Sequence, residues 1–228
     1  MQVWASHGAE AGSRAYLRGA GRRSSAADGP NPGVQIILLG PRKLVLASRS
    51  PQRRLILERL GVEFVVRPSD AEELETGDPQ DAACENALRK ALAASPAPGE
   101  LVIGVDTIVA LDGRIYGKPA DEVAAAATMR VLSGRTHTVI SGLALVQAGT
   151  EPEIHAAATA VSFRELDERL VDWYVACGEW RDRSGGYAIQ QAGGALIRSI
   201  EGDYNNVVGL PLALLLDLHP DLLGAAGA

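Results

Sequence analysis

One apolar stretch restricts the fold of this chain more than any other. Residues 101–111 read LVIGVDTIVAL, in which only Asp106 and Thr107 are neither apolar nor glycine. The stretch is predicted to be a long strand that returns through a hairpin turn at Asp112-Gly113. A charged carboxylate in a buried strand is unfavourable unless a cation, a metal or a hydrogen-bond donor lies beside it. Asp106 is therefore either a functional acid with a positive partner or a carboxylate at the solvent end of the strand.

Alternating strand and helix patterns surround this stretch. Strands are predicted at 43–48, 62–68, 100–119, 137–146, 156–163 and, as an adjacent pair, 185–190 and 194–200. Helices are predicted at 51–60, 78–95, 120–133, 165–178 and 210–219. This mixture of neighbouring strands and crossover helices predicts an α/β fold with a sheet of mixed direction.

The first part of the chain differs in composition from the rest. Residues 1–33 are rich in Gly, Ala, Ser and Arg and have no sustained apolar period. We predict a poorly ordered leader over residues 1–40 and one domain over residues 41–228. A transit peptide, a start codon placed upstream or a simple tail would each explain such a leader.

Charge and cysteine content exclude several classes of function. The net charge of −6 argues against a nucleic-acid partner or an anionic membrane surface, because both need a basic face. Cys84 and Cys177 lie far apart and outside any metal-ligand spacing, which argues against a disulfide framework and a zinc site. No apolar run approaches the length of a membrane span. These features together predict a cytoplasmic protein.

Four arginines lie close to a predicted helix start in the segment LASRSPQRRLILERLG, residues 46–61. Ser50 is a typical N-cap and Pro51 suits the first helical position. The amino end of a helix attracts anions. Helical spacing turns Arg53 inward and pairs Arg54 with Glu58. Arg53 is therefore a candidate phosphate ligand, the alternative being that all four arginines are solvated surface charges.

Lys118 is a second candidate for a phosphate contact. It follows a glycine in YGKP and precedes a predicted helix capped by Asp121, although an ordinary surface lysine fits this position equally well. The chain contains neither a GxxxxGK[ST] phosphate loop nor a GxGxxG segment, so a P-loop NTPase and a dinucleotide enzyme are not supported. From the residues alone we predict a phosphate or nucleotide site, with metal binding left open.

Three segments together carry a family resemblance. LVLASRSPQRRLILERLGVEF, VIGVDTIVALDGRIYGKPADEVAAAATMRVLSGRTHTVISGLAL and GYAIQQAGGALIRSIEGDYNNVVGLPL resemble the Maf family of nucleoside triphosphate pyrophosphatases. The resemblance implies hydrolysis of a nucleoside triphosphate to the monophosphate and pyrophosphate with a divalent cation, Mg²⁺ or Mn²⁺. It also implies an elongated fold related to inosine triphosphate pyrophosphatases, with flanking helices, a central cleft and a homodimer.

The resemblance assigns roles to particular residues. Asp106 matches the residue usually assigned as proton acceptor, and Glu73 matches a carboxylate that helps to hold metal, which Asp106 itself could also bind. A metal-bridged triphosphate would then supply the positive charge that Asp106 needs. The implied substrate-binding residues are Ser48, Arg53, Lys90 and Lys118.

Base specificity is implied by a further set of positions. Thr107 and Gln190 match the branch of the family that prefers dTTP and UTP, and a glutamine amide can pair with the O4 and N3–H edge of a pyrimidine. Gln52 stands where many members have arginine, at a position tied to base specificity. Gln191 stands where glycine is usual, and its larger side chain is expected to reshape the base pocket.

Two other functions remain possible at this point. A non-catalytic nucleotide-binding regulator of septum formation would keep the arginines and lysines but would not need Asp106. A pyrophosphatase for modified purine triphosphates would share the reaction and differ at the base edge. The preferred hypothesis is removal of dTTP and UTP from nucleotide pools, with a possible link to cell division arrest.

Overall fold

The computed structural model describes residues 43–226, so the predicted leader and the start of the domain lie outside the described residues. Within that range seven strands form one sheet: β1 (Lys43–Leu46), β2 (Phe64–Val66), β3 (Glu100–Leu111), β4 (Arg114–Tyr116), β5 (Thr136–Gln147), β6 (Glu153–Phe163) and β7 (Ile197–Glu201). Six α-helices accompany it: α1 (Pro51–Arg59), α2 (Pro79–Ala93), α3 (Glu122–Leu132), α4 (Glu168–Cys177), α5 (Tyr204–Val208) and α6 (Leu212–Leu218).

The sheet is mixed, which confirms the predicted fold class. Its strand order is β2-β1-β3-β5-β6-β7, and β4 pairs with β3 beyond this path. Strand β1 runs parallel to β2 and β3, whereas the other pairs are antiparallel. The predicted hairpin turn at Asp112-Gly113 is present, with φ of 52° and 73° at these two residues.

Alternate residues of β3 face different helices, as the two-residue period of a strand requires. Leu101, Ile103 and Val105 belong to a buried cluster that also contains residues of α1 and α6. Val102 packs instead among the alanines of α2. Asp106 has the same parity as Val102, so its side chain points to the α2 face of the sheet.

Two glycines let α2 lie directly on the sheet. A Cβ atom at Gly104 would lie 2.1 Å from the Ala87 carbonyl oxygen, and one at Gly142 would lie 2.1 Å from that of Ala83. The facing side of α2 is correspondingly small, since Ala83 and Ala87 are fully buried. Because Gly142 is paired with Asp106 across β5 and β3, this close approach brings α2 to the buried acid.

Replacing Gly142 with alanine should therefore destabilise the fold by about 3 kcal/mol, because overpacking at a backbone contact forces the helix away from the sheet. Denaturant unfolding monitored by circular dichroism measures the change. Gly117→Ala is the matched control, since a Cβ at Gly117 meets nothing within 4 Å. Equal midpoints for the two variants would contradict the close packing.

Helices α1 and α3 begin at the predicted capping residues, and α2 begins at an aspartate that was not predicted as a cap. Ser50 Oγ accepts a hydrogen bond from the Arg53 backbone N–H, and Pro51 begins α1. The Asp78 carboxylate accepts backbone N–H bonds at the start of α2, and Asp121 does so at the start of α3. Among the residues that the structure describes, no helix combines the length and the apolar character needed to cross a membrane.

The predicted strand pair at 185–190 and 194–200 is wrong. Gly185 and Gly186 have φ of 67° and 68°, values that a β-strand does not allow. They lie in a 3-10 turn, Ser184–Gly186. A second 3-10 turn spans Ala192–Leu196, and β7 then pairs with β6 rather than with the preceding segment. Helix α5 was not predicted, because five residues carry too little periodicity to be recognised.

Candidate active site

A cleft of about 690 Å³ contains every site residue predicted from the sequence. Its walls come from the loop before α1, the loop between β2 and α2, helix α2, strand β3 and the loop before β7. The predicted residues that line it are Ser48, Gln52, Arg53, Glu73, Lys90, Asp106, Thr107, Lys118 and Gln190. Positions separated by as many as 142 residues therefore meet at one place.

Arg53 is a buried cation held by neutral groups. Its guanidinium donates hydrogen bonds to the Gly209 carbonyl at 2.7 Å, to Ser48 Oγ at 3.0 Å and to Thr107 Oγ1 at 3.2 Å. Burial lowers the pKa of the guanidinium, and the charges of Asp106 and Glu73 offset this only in part. Among the described residues no carboxylate lies within ion-pair distance of it. Because arginine stays charged, the site favours an anion here.

The helical periodicity correctly separated Arg53 from its neighbour. Arg53 is 9% exposed and turned into the cleft, whereas Arg54 is exposed and pairs with Glu58 at 2.6 Å. The interpretation of all four arginines as solvated surface charges is therefore wrong for Arg53.

Asp106 lies in the middle of β3 and is 6% exposed, which excludes the solvent end of the strand. Its Oδ1 atom accepts a hydrogen bond from Lys90 Nζ at 2.6 Å, and Oδ2 accepts one from Asn86 Nδ2 at 2.9 Å. A positive partner for Asp106 is thus present within the protein, in Lys90 of α2. The pairing offsets the cost of burying the carboxylate.

Glu73 connects the two predicted cleft lysines. Lys90 Nζ lies 2.7 Å from Glu73 Oε1, and Lys118 Nζ lies 3.3 Å from Oε2. Burial alone would raise the pKa of the Glu73 carboxyl, but Lys90 and Lys118 outweigh this and hold the pKa below its usual value. Lys118 is half exposed, so it can turn towards a ligand in the cleft.

Thr107 is one of the residues assigned to base specificity, but its side chain contacts Arg53 directly. Besides accepting from Arg53, its hydroxyl lies 2.9 Å from Ser141 Oγ. Ser184 Oγ donates to the Thr107 carbonyl at 2.8 Å, which ties the loop before β7 to β3. Thr107 therefore orients Arg53, and any effect of Thr107 on base choice would be exerted from this position.

The glutamines differ in their relation to the cleft. Gln190 is exposed on the cleft wall, and Gln52 lies in the first turn of α1, where it accepts a hydrogen bond from Ser50 Oγ. Gln191 is exposed and does not line the cleft. It precedes the 3-10 segment Ala192–Leu196.

Asn86 is the site residue that the sequence analysis missed. It is 1% exposed, lines the cleft and contacts Asp106. The sequence does contain an indication of this role, since Asn86 lies one helical turn before Lys90 on the alanine-rich face of α2. A polar residue on such a face needs partners, which the sequence could not identify.

Comparison with known proteins agrees with the resemblance. The family model described as Maf-like protein matches residues 43–221. The chain belongs to the Maf family. A protein of Moorella thermoacetica named dTTP/UTP pyrophosphatase is 48% identical over 180 residues, which cover 77% of this chain and 93% of the relative. A Pyrococcus furiosus protein of the same name is 43% identical, covering 78% and 94%.

Solved structures give a weaker likeness to this Maf chain. A HAM1 protein from Coxiella burnetii is 18% identical with a TM-score of 0.42, covering 68% of this chain and 91% of that one. A nucleoside-triphosphatase, named dITP/XTP pyrophosphatase, from Mycobacterium abscessus is 21% identical with a TM-score of 0.38, covering 54% and 75%. TM-scores this low do not support an inference about the site, so the family assignment depends on the sequence relatives.

Proposed function

We propose that this Maf protein hydrolyses nucleoside triphosphates, preferably dTTP and UTP, to the nucleoside monophosphate and pyrophosphate. The observation that carries the proposal is the buried guanidinium of Arg53, in the same cleft as the lysine-paired acid Asp106. Within residues 43–226 this guanidinium has three neutral partners and no carboxylate partner. The names of the curated relatives support the same reaction and the same preference.

The phosphates would bind to the cationic side of the cleft. Arg53 and Ser48 lie beside the amino end of α1, where the helix dipole adds to the attraction for an anion. In the described part of the chain, Lys118 pairs with Glu73 alone, by a long contact of 3.3 Å. A polyphosphate would compete with Glu73 for Lys118, so substrate binding and release of this ion pair are expected to be coupled.

Asp106 is the proposed proton acceptor for the attacking water. Lys90 and Asn86 each hold one carboxylate oxygen, which leaves the remaining lone pairs of these oxygens to accept a proton or a hydrogen bond from water. A general base must be held within reach of the water that it deprotonates. The two donors orient the carboxylate for this role before substrate arrives.

A divalent cation fits the donor set only in the company of substrate. Among residues 43–226 no three His, Cys, Asp or Glu side chains cluster as a complete protein-only site. Mg²⁺ usually takes one or two carboxylates together with substrate phosphates and water. Glu73 and Asp106 would hold Mg²⁺ or Mn²⁺ in this way, and the ion would stabilise negative charge on the phosphoryl oxygens.

The choice of base is assigned to Gln190, Gln52 and Thr107. Gln190 offers both a donor and an acceptor at the exposed cleft wall, as pairing with the O4 and N3–H edge of thymine or uracil requires.

The homodimer implied by the resemblance and the cytoplasmic location implied by the composition stay predictions. Light scattering on the purified chain tests the first.

A panel of nucleotides tests the proposed function. Pyrophosphate release should be fastest with dTTP and UTP and slower with CTP, ITP and methylated GTP, in the presence of Mg²⁺ or Mn²⁺. Fastest release from ITP or methylated GTP would replace the proposal with a pyrophosphatase for modified purines. Tight binding of all nucleotides without pyrophosphate release would indicate a non-catalytic regulator.

A further inference from the structure

We propose that Asn86 is a positioning residue that holds the Asp106 carboxylate and the Glu73-bearing loop in one fixed arrangement. The inference rests on the proposed function for its kinetic consequences, but its structural part is independent of the reaction. Asn86 contacts neither substrate nor a reacting atom in this arrangement. It acts through Asp106 and through the backbone of the residue that follows Glu73.

The amide of Asn86 uses its full donor capacity. Nδ2 donates to Asp106 Oδ2 at 2.9 Å and to the Leu74 carbonyl at 3.0 Å, and Oδ1 accepts from the Leu74 backbone N–H at 2.7 Å. A side chain amide has two N–H donors, so both are occupied. Three bonds in two directions leave the Asn86 side chain one orientation.

Packing does not require an asparagine at this place. The buried neighbours on the same helix face are alanines, among them Ala82, Ala83 and Ala87, and the residue is 1% exposed. An alanine would fit this face without burying an amide, whose desolvation is unfavourable unless it is paired. The presence of an amide is explained by its two hydrogen-bond partners, the Asp106 carboxylate and the Leu74 backbone.

Asn86 and Lys90 lie one helical turn apart on α2, and both bind the loop between β2 and α2. Lys90, one helical turn further along α2, contacts both Asp106 Oδ1 and the side chain of Glu73. Asn86 contacts the other oxygen of Asp106 and the backbone of Leu74. Each carboxylate oxygen thus has its own donor, and the loop between β2 and α2 is attached at two consecutive residues.

Loss of the amide should reduce turnover more than affinity. In Asn86→Ala the Asp106 carboxylate can rotate about Lys90 and the loop loses its backbone attachment, while Arg53, Ser48 and Lys118 remain to bind phosphates. We expect kcat to fall about 10- to 100-fold, as when a group that orients a reactive ligand is removed. KM and the Kd for α,β-methylene dTTP should change by less than about threefold, since ground-state contacts remain.

Asn86→Asp separates the two contacts. It has nearly the same shape and still accepts from the Leu74 N–H, but it can donate neither to Asp106 nor to the Leu74 carbonyl, and it places a second carboxylate beside Asp106. We expect a similar loss of kcat with near-normal hydrogen exchange of the Leu74 amide, whereas Asn86→Ala should exchange there roughly fivefold faster or more. If the alanine variant does not fold, the aspartate variant still tests the contact with Asp106.

Glu85→Gln is the matched control, because Glu85 is the neighbouring, partly exposed residue of α2 and, among the described residues, its ion pair is with Arg89. It should leave kcat and Leu74 exchange unchanged. Unchanged kcat in both Asn86 variants, or a loss of kcat that only follows a fall in Tm, would overturn the proposal. If the wild-type chain releases no pyrophosphate from any nucleotide, the proposed function fails, and Leu74 exchange alone then decides the role of Asn86.

Discussion

Asp106→Asn should reduce pyrophosphate release by roughly 10²- to 10⁴-fold, because it removes the proposed proton acceptor and keeps the side-chain volume. The fold should survive the change. Lys90 keeps its contact with Glu73 at 2.7 Å, so the buried ammonium is not left without a carboxylate. Steady-state kinetics with dTTP and circular dichroism on the same preparation measure both effects.

A second aspartate provides a close control for this substitution. Asp112 ends the same hairpin strand, is exposed and pairs with Arg135, and its φ of 52° is tolerated by asparagine. Asp112→Asn should therefore leave kcat unchanged. Retention of more than about a tenth of the wild-type kcat in Asp106→Asn, a loss below ~1.4 kcal/mol, would contradict the assignment of Asp106.

Arg53→Ala should cost ~2–5 kcal/mol of transition-state stabilisation, as expected when a positioned and desolvated charge is removed from an anionic ligand. The loss should be similar for dTTP and UTP, because the arginine is assigned to the phosphates and not to the base. Arg53→Lys keeps the charge but cannot reproduce the three contacts to Gly209, Ser48 and Thr107. It should fall between the wild type and the alanine variant.

The adjacent arginine is the control for the orientation of α1. Arg54→Ala removes only an exposed pair with Glu58 and should cost less than about 1 kcal/mol in transition-state stabilisation. Steady-state kinetics of the three variants on both nucleotides decide the matter. Equal losses at the two positions would show that the anion binds elsewhere in the cleft.

Local sequence rules were sufficient wherever neighbouring residues determine the conformation. Ser50 and Pro51 predicted the start of α1, and the helical period predicted the inward side of Arg53. The turn at Asp112-Gly113 predicted the hairpin of β3 and β4. In each case the interacting atoms are within a few residues of one another, so spacing alone determines which groups meet.

The resemblance to the Maf family extended these local predictions to the cleft. All nine predicted site residues line one cavity, although their roles stay predictions until the variants are measured. The resemblance did not indicate Asn86, and it led to a wrong expectation for Gln191, whose side chain lies outside the cleft. Neither position can be judged without knowing which way its side chain points.

The sequence by itself determined most of the elements of this protein, the need of Asp106 for a positive partner and the inward position of Arg53. Only the tertiary structure decided that the partner is Lys90, 16 residues earlier in the chain, and that Arg53 is held by Gly209, 156 residues later. The contact between Lys90 and Asp106 depends on how closely α2 approaches the sheet at Gly104 and Gly142. This close approach depends on how the surfaces of the helix and the sheet fit together, and the sequence periodicity of either element alone does not predict it.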